Sequence, residues 1–248
     1  MNKRMLILPV LLGFALACNL VNTPVDGSGP VSGPAGDGQT IPSDPVSIRE
    51  GLASLNSYTF VIESNSSGPG QTEYSNARIE IKNSKEQDAD STNYIVNSMT
   101  EDETEPSTTD SFMYSIGNIQ CSGSDADEWD YSEITPQQKE MTDLYSEMVD
   151  ILPLIDSPTF VGSELMNGVM SNHFTFTISG LGLQPGVEAT ANQGEYWLAQ
   201  DGQYIVKYQL VTETVDTATQ SRIHMQVLID LTGINQPVSI ALPAGCVP

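Results

Sequence analysis

Between Tyr58 and Leu231 apolar and polar residues repeatedly alternate with a period of two, which restricts the chain to strands that bury one face. Tyr58, Phe60 and Ile62 alternate with Thr59, Val61 and Glu63, then Ala77, Ile79 and Ile81 with Arg78, Glu80 and Lys82. Further strands are expected over 93–99, 111–121, 128–133, 159–166, 173–179, 195–199, 204–214 and 222–231. Tyr204, Val206, Tyr208 and Leu210 share one side of their strand, as do Ile223, Met225, Val227 and Ile229. The connections are short and rich in Asp, Glu, Ser and Gly, with Asp201-Gly202 as a hairpin turn, so the strands should meander antiparallel.

Two segments break this period. Asp44 can cap a short helix that starts at Pro45 and puts Ile48, Leu52 and Leu55 on one side, ending near Asn56. Thr135 can cap a longer one, with Pro136 at its first position and Gln138 completing a capping box. Met141, Leu144, Tyr145, Met148, Val149 and Leu152 form its apolar stripe, and Pro153 stops it.

The start of the chain is of another kind. Lys3 and Arg4 precede an apolar run over 5–16 that ends in Ala15-Leu16-Ala17-Cys18, the pattern of a cleavable signal peptide over 1–17. The run is shorter than the roughly 20 residues a membrane-spanning helix needs. Small residues before a Cys resemble a bacterial lipobox, which implies that Cys18 receives a lipid and anchors the exported chain to a membrane. Ala15-Leu16-Ala17 also fits an ordinary A-x-A site, which would leave Cys18 a free thiol. Residues 18–44, rich in Gly, Pro, Ser and Asp, then form a flexible tether, and 45–248 form one domain with no second such stretch dividing it. With three Cys in the chain, lipidation of Cys18 leaves Cys121 and Cys246. They can form a disulfide outside the cytosol, or stay two separate buried thiols.

Composition excludes several functions. Nine basic against 32 acidic residues give a formal net charge of -23, and losing Lys3 and Arg4 with the signal peptide makes it -25. Such a surface repels nucleic acids and anionic headgroups. His173 and His224 lie on the polar sides of their strands, read as exposed, and have no neighbouring metal-ligand pattern. Asp125, Asp127, Glu128 and Asp130 miss the calcium-loop spacing, and the acidic run over 101–105 reads as a solvated charge run. A G-x-S-x-G elbow and a glycine-rich phosphate loop are both missing, and carboxylates are too abundant for any pair to single itself out as a hydrolase site. No enzyme, cofactor or metal site is expected.

The order of pieces resembles the carrier-type bacterial lipoproteins of the lipoprotein-localisation fold, including mycobacterial glycolipid-carrier lipoproteins. The stretches that carry the resemblance are Leu55-Asn56-Ser57-Tyr58-Thr59-Phe60, Tyr114-Ser115-Ile116-Gly117-Asn118 followed by Trp129, and the helix from Pro136. Later come Val161-Gly162-Ser163-Glu164, Asn167-Gly168, His173-Phe174-Thr175-Phe176 and Tyr196-Trp197-Leu198. The resemblance implies a mainly β (α+β) domain, a single curved antiparallel sheet or half-barrel wrapped around about two helices, with a lipophilic cavity. It implies a lipid or other amphipathic ligand, bound by partitioning. Phe60, Ile62, Ile79, Ile81, Phe112, Tyr114, Phe174, Phe176, Tyr208 and Met225 are the candidates for lining that cavity, and a filled core is the alternative for each. A non-catalytic surface module that binds a protein or cell-wall component is the rival function.

Overall fold

The computed structural model describes residues 51–68, 74–99, 105–125, 128–135, 155–178, 187–201 and 204–246. The expected signal peptide, Cys18, the expected tether and the helix expected from Pro136 lie outside them. Of the first helix the described part is its last turn, 51–53. The expectation of about two helices is thus met here by that turn alone, and the domain is mainly β.

The described residues form eleven strands. They are β1 (Ser57–Ser67), β2 (Tyr74–Ser84), β3 (Ala89–Met99), β4 (Ser107–Ile116), β5 (Ile119–Asp125) and β6 (Glu128–Glu133), then β7 (Ile155–Met166), β8 (Val169–Ile178), β9 (Val187–Ala199), β10 (Ile205–Asp216) and β11 (Arg222–Thr232). They form one sheet in the order β6-β5-β4-β3-β2-β1-β11-β10-β9-β8-β7. Every pairing is antiparallel. Two meanders, β1–β6 and β7–β11, therefore meet where the first strand pairs with the last, and β6 and β7 are the two edges.

Strand β9 begins eight residues earlier than its apolar pattern suggests. Residues 187–194, Val-Glu-Ala-Thr-Ala-Asn-Gln-Gly, alternate only weakly, with small Ala residues on the apolar side, but Val187 to Gly194 pair with Asp216 to Leu210 of β10. The long neighbour supplies the hydrogen bonds that make this stretch a strand.

The β7–β11 wing curls strongly. Asn167 and Gly168, at φ 51° and 82°, form the left-handed turn between β7 and β8 that Asn-Gly favours. Asn167 Nδ2 donates to Asp230 Oδ1 at 2.7 Å and to the Leu231 carbonyl at 2.9 Å, both on β11. Three inter-strand steps separate β8 from β11, about 14 Å in a flat sheet, so the hairpin tip has been carried round by curvature. Beneath it Leu52, Leu55, Phe60, Phe174, Tyr196, Tyr208, Leu210 and Leu231 belong to one buried cluster.

The other wing is fastened by the chain's last residues. Beyond β11, Asn235 donates its N–H to the Ser57 carbonyl and accepts from the Asn56 N–H, and Ser57 Oγ donates to the Gln236 carbonyl. Ile240 donates its N–H to Gln87 Oε1 in the β2–β3 turn at 2.9 Å, and Cys246 is disulfide-bonded to Cys121 on β5, with Cα atoms 6.0 Å apart. Ser57, Ser84 and Ala89, paired across β1, β2 and β3, are buried small residues in this region. Of the two states left open for Cys121 and Cys246, the structure has the disulfide.

Candidate functional site

Antiparallel pairing aligns side chains across strands, so a register row is a physical line of neighbours on one face. One row is apolar across eight consecutive strands. Phe160 on β7 pairs with Phe174 on β8, then Tyr196 on β9 and Tyr208 on β10; the row continues through Ile229 on β11, Ile62 on β1, Ile79 on β2 and Tyr94 on β3. Seven inter-strand steps make it about 34 Å long, measured along the sheet. A second line beside it runs from Leu231 through Phe60 to Ile81.

The aromatic end is tightly organised. Phe174 stacks on Tyr196 with centroids 4.9 Å apart and planes at 13°. Phe160 meets Phe174 edge-on at 5.6 Å, and Phe176 lies 5.8 Å from Tyr196 and 5.4 Å from Tyr208. The Phe176 ring occupies the space where a side chain at position 194 would stand: a Cβ on Gly194 would overlap it and lie 2.6 Å from the Gln209 carbonyl oxygen. Gly194 is therefore what lets that ring lie against β9.

Burial varies along the row. Phe174, Tyr196, Tyr208 and Ile229 are buried, whereas Ile62, Ile79 and Tyr94 are half-buried. Burial also raises the pKa of Tyr94, Tyr196 and Tyr208, because desolvation disfavours the phenolate. Their hydroxyls stay neutral donors at ordinary pH. The Tyr208 hydroxyl, buried here, has no hydrogen-bond partner among the described residues.

Eight of the ten sequence candidates share this face: Phe60, Ile62, Ile79, Ile81, Phe174, Phe176, Tyr208 and Met225. The register corrects the other two. Phe112 pairs with Asn93 and Tyr114 with Ser91, which puts both on the opposite face. There Trp129 meets them at 6.2 and 5.6 Å, close to the disulfide and the C-terminal segment. Met113, between them in sequence, is on the apolar-row face of β4, opposite Thr92. Alternation tells which residues of β4 share a side, but only pairing with β3 tells which side that is.

The two histidines lie on that opposite face. His173 is not exposed as expected: its side chain is 16% accessible and stacks on Trp197 at 4.3 Å. Its Nδ1 is 3.3 Å from Glu164 and its Nε2 3.4 Å from Glu195, while Trp197 Nε1 donates to Glu164 Oε1 at 2.6 Å and Lys207 sits 5.5 Å over the indole. Sequence spacing carries no sign of this cluster, whose members come from four strands. A polar depression of about 190 Å³, lined by Glu63, Asn65, Asn76, Arg78, Ile95 and Asn97 among others, occupies the first wing. Among the described residues no group of three or more His, Cys, Asp or Glu converges on a metal-sized site. None of their helices is long and apolar enough to cross a membrane.

No family model and no curated protein matches the chain. Solved structures do, and lipoproteins are among them. The crystal structure of LprF from Mycobacterium bovis has a TM-score of 0.40 at 15% identity, covering 84% of this chain and 100% of that one. For the lipoprotein LppX from Mycobacterium tuberculosis the TM-score is 0.33 at 15% identity, covering 79% and 97%. An outer membrane lipoprotein-sorting protein domain from Vibrio parahaemolyticus has a TM-score of 0.25 at 13% identity, covering 79% and 93%.

Proposed function

We propose that this chain is an extracytoplasmic lipoprotein, anchored to a membrane through lipid on Cys18, that binds a lipid or other amphipathic ligand in an apolar cavity against the Phe60 face and acts as its carrier. The observation that carries the reading is the eight-strand apolar row. It spans about 34 Å, more than the roughly 30 Å hydrocarbon thickness of a bilayer, so its length matches that of an extended acyl chain. Ile62, Ile79 and Tyr94 are its half-buried end, where ligand contact can still cover apolar surface. Each CH₂ removed from water contributes about 0.8 kcal/mol, so binding needs no reaction and no cofactor. Phe60, Ile62, Ile79, Ile81, Phe174, Phe176, Tyr208 and Met225 are the proposed contact set. Partitioning of this kind leaves no catalytic role for the scattered carboxylates.

The test is native mass spectrometry with organic extraction of the full chain carrying Cys18→Ser, purified from a bacterial host, beside the same chain with Cys18 intact. The expected result is co-purifying lipid in both and an added lipid mass on Cys18 in the second alone. A clean apo mass that takes up no fluorescent fatty acid or glycolipid would overturn the carrier reading. A second reading, a module that docks on a protein or wall polymer, is favoured by the exposed Phe160, Val161 and Leu165 on β7 and Met170 on β8. That clean apo mass would leave it in front.

A further inference from the structure

Tyr208 sits midway along the apolar row, between Tyr196 and Ile229, and is 1% exposed. Its hydroxyl is buried, and among the described residues it has no hydrogen-bond partner. An unsatisfied buried hydroxyl destabilises a fold relative to one that is paired. Phenylalanine would carry no such cost, and the same face accepts it at Phe60, Phe174 and Phe176. A hydroxyl that destabilises the empty protein is explained if something outside the chain pairs with it. The surroundings limit what that is. The row holds aromatic and aliphatic side chains and no cation, so a phosphate or an ionised carboxylate placed there would be a buried, unpaired charge. Burial keeps the phenol protonated and therefore a donor.

We propose that the Tyr208 hydroxyl donates a hydrogen bond to the ester carbonyl oxygen of an acyl lipid whose hydrocarbon lies along the row, and so selects acylated ligands over plain hydrocarbon. This rests on the lipid-binding reading above and names its polar contact. It also gives the ligand a register: the ester stands at β10, with the chain extending across Ile229, Ile62 and Ile79.

The experiment compares the full chain carrying Cys18→Ser with the same chain also carrying Tyr208→Phe. The probes are methyl laurate and n-tetradecane, and the thermal midpoint of each ligand-free protein is measured alongside. The expected result is ester binding weakened about fivefold to tenfold by Tyr208→Phe, the loss of one neutral hydrogen bond. Alkane binding should be unchanged, and the ligand-free midpoint equal or higher. An unchanged ester-to-alkane ratio would overturn the proposal, and so would a lowered ligand-free midpoint, which would mark an internal partner for the hydroxyl. If the Tyr208-containing protein binds neither probe, the lipid-binding reading itself falls. If it binds both and Tyr208→Phe leaves the ratio alone, only the role of Tyr208 falls.

Discussion

The two wings of the sheet, β1–β6 and β7–β11, bury different things. In the second, Tyr196, Trp197, Leu198 and Ala199 are four consecutive buried residues, so β9 is covered on both faces, and β10 buries six of its twelve positions. In the first, β2 buries Ile81 and Ser84, β4 buries Ser115, and β6 buries none. Beyond Phe60 of β1 and Ile81 of β2, where apolar burial thins toward β6, this wing has other fastenings, the disulfide and the hydrogen bonds of residues 235–246. Apolar burial and chain-entropy restriction are alternative routes to stability, and here each dominates one half.

Removing the disulfide is the hardest blow to that contrast. Cys121 and Cys246 are 125 residues apart, and for a loop of this length the entropy model gives a stabilisation of about 4 to 5 kcal/mol. Cys121→Ser with Cys246→Ser should lower the denaturation midpoint accordingly. Hydrogen exchange should quicken first in β4 to β6 while β8 to β10 keep their protection. Equal loss in both wings would mean that the halves are not stabilised separately.

A smaller effect is expected from Gly194→Ala, which forces Phe176 off β9 and presses on the Gln209 carbonyl. Overpacking of this kind costs about 1–3 kcal/mol. Its signature should be confined to the aromatic wing, read as changed tyrosine fluorescence and faster exchange in β8 to β10. The smallest effect is a pH dependence. Tyr196 and Tyr208 have pKa values raised above 10.0 by burial, so folding favours their protonated forms. Their contribution is complete below pH 10 and is lost as pH climbs toward the folded values. Alkaline titration followed by circular dichroism should show stability declining above pH 10, and less steeply once both residues are Phe.

The same division decided how much could be read in advance. Strands such as β1, β10 and β11 announce themselves because one side packs and the other does not, and alternation records this directly. Of the apolar row, Phe174, Tyr208, Ile62 and Ile79 are legible as candidates in the sequence, whereas Phe160, Tyr196, Ile229 and Tyr94 join them only through register, which depends on turns such as Asn167-Gly168 and on bulges near Ile205 and Glu213. Phe112 and Tyr114 alternate like core residues because they do pack, half-buried, in the small cluster with Trp129 on the opposite face. The C-terminal fastening gave one signal, the number of cysteines. Asn235, Gln236 and Ile240 act through backbone groups and single polar contacts with residues more than 150 positions away, which no local pattern encodes. The surroundings of His173 were hidden for the same reason, being assembled from β7, β8, β9 and β10.

The pairing of β1 with β11 also imposes a timetable. Thr59 and Thr232 are joined at this seam although 173 residues separate them. Each meander is a stack of neighbouring hairpins that can form as soon as its own residues are available, whereas the seam must wait for the last strand and close a very long loop. Until then β1 and β10 both present open edges, sites at which a partly made chain can pair with another. A chain cut short before Arg222 would keep most of its strands and never lose those edges, so completeness at the C-terminus, more than any single side chain, separates a finished molecule from an aggregation-prone one.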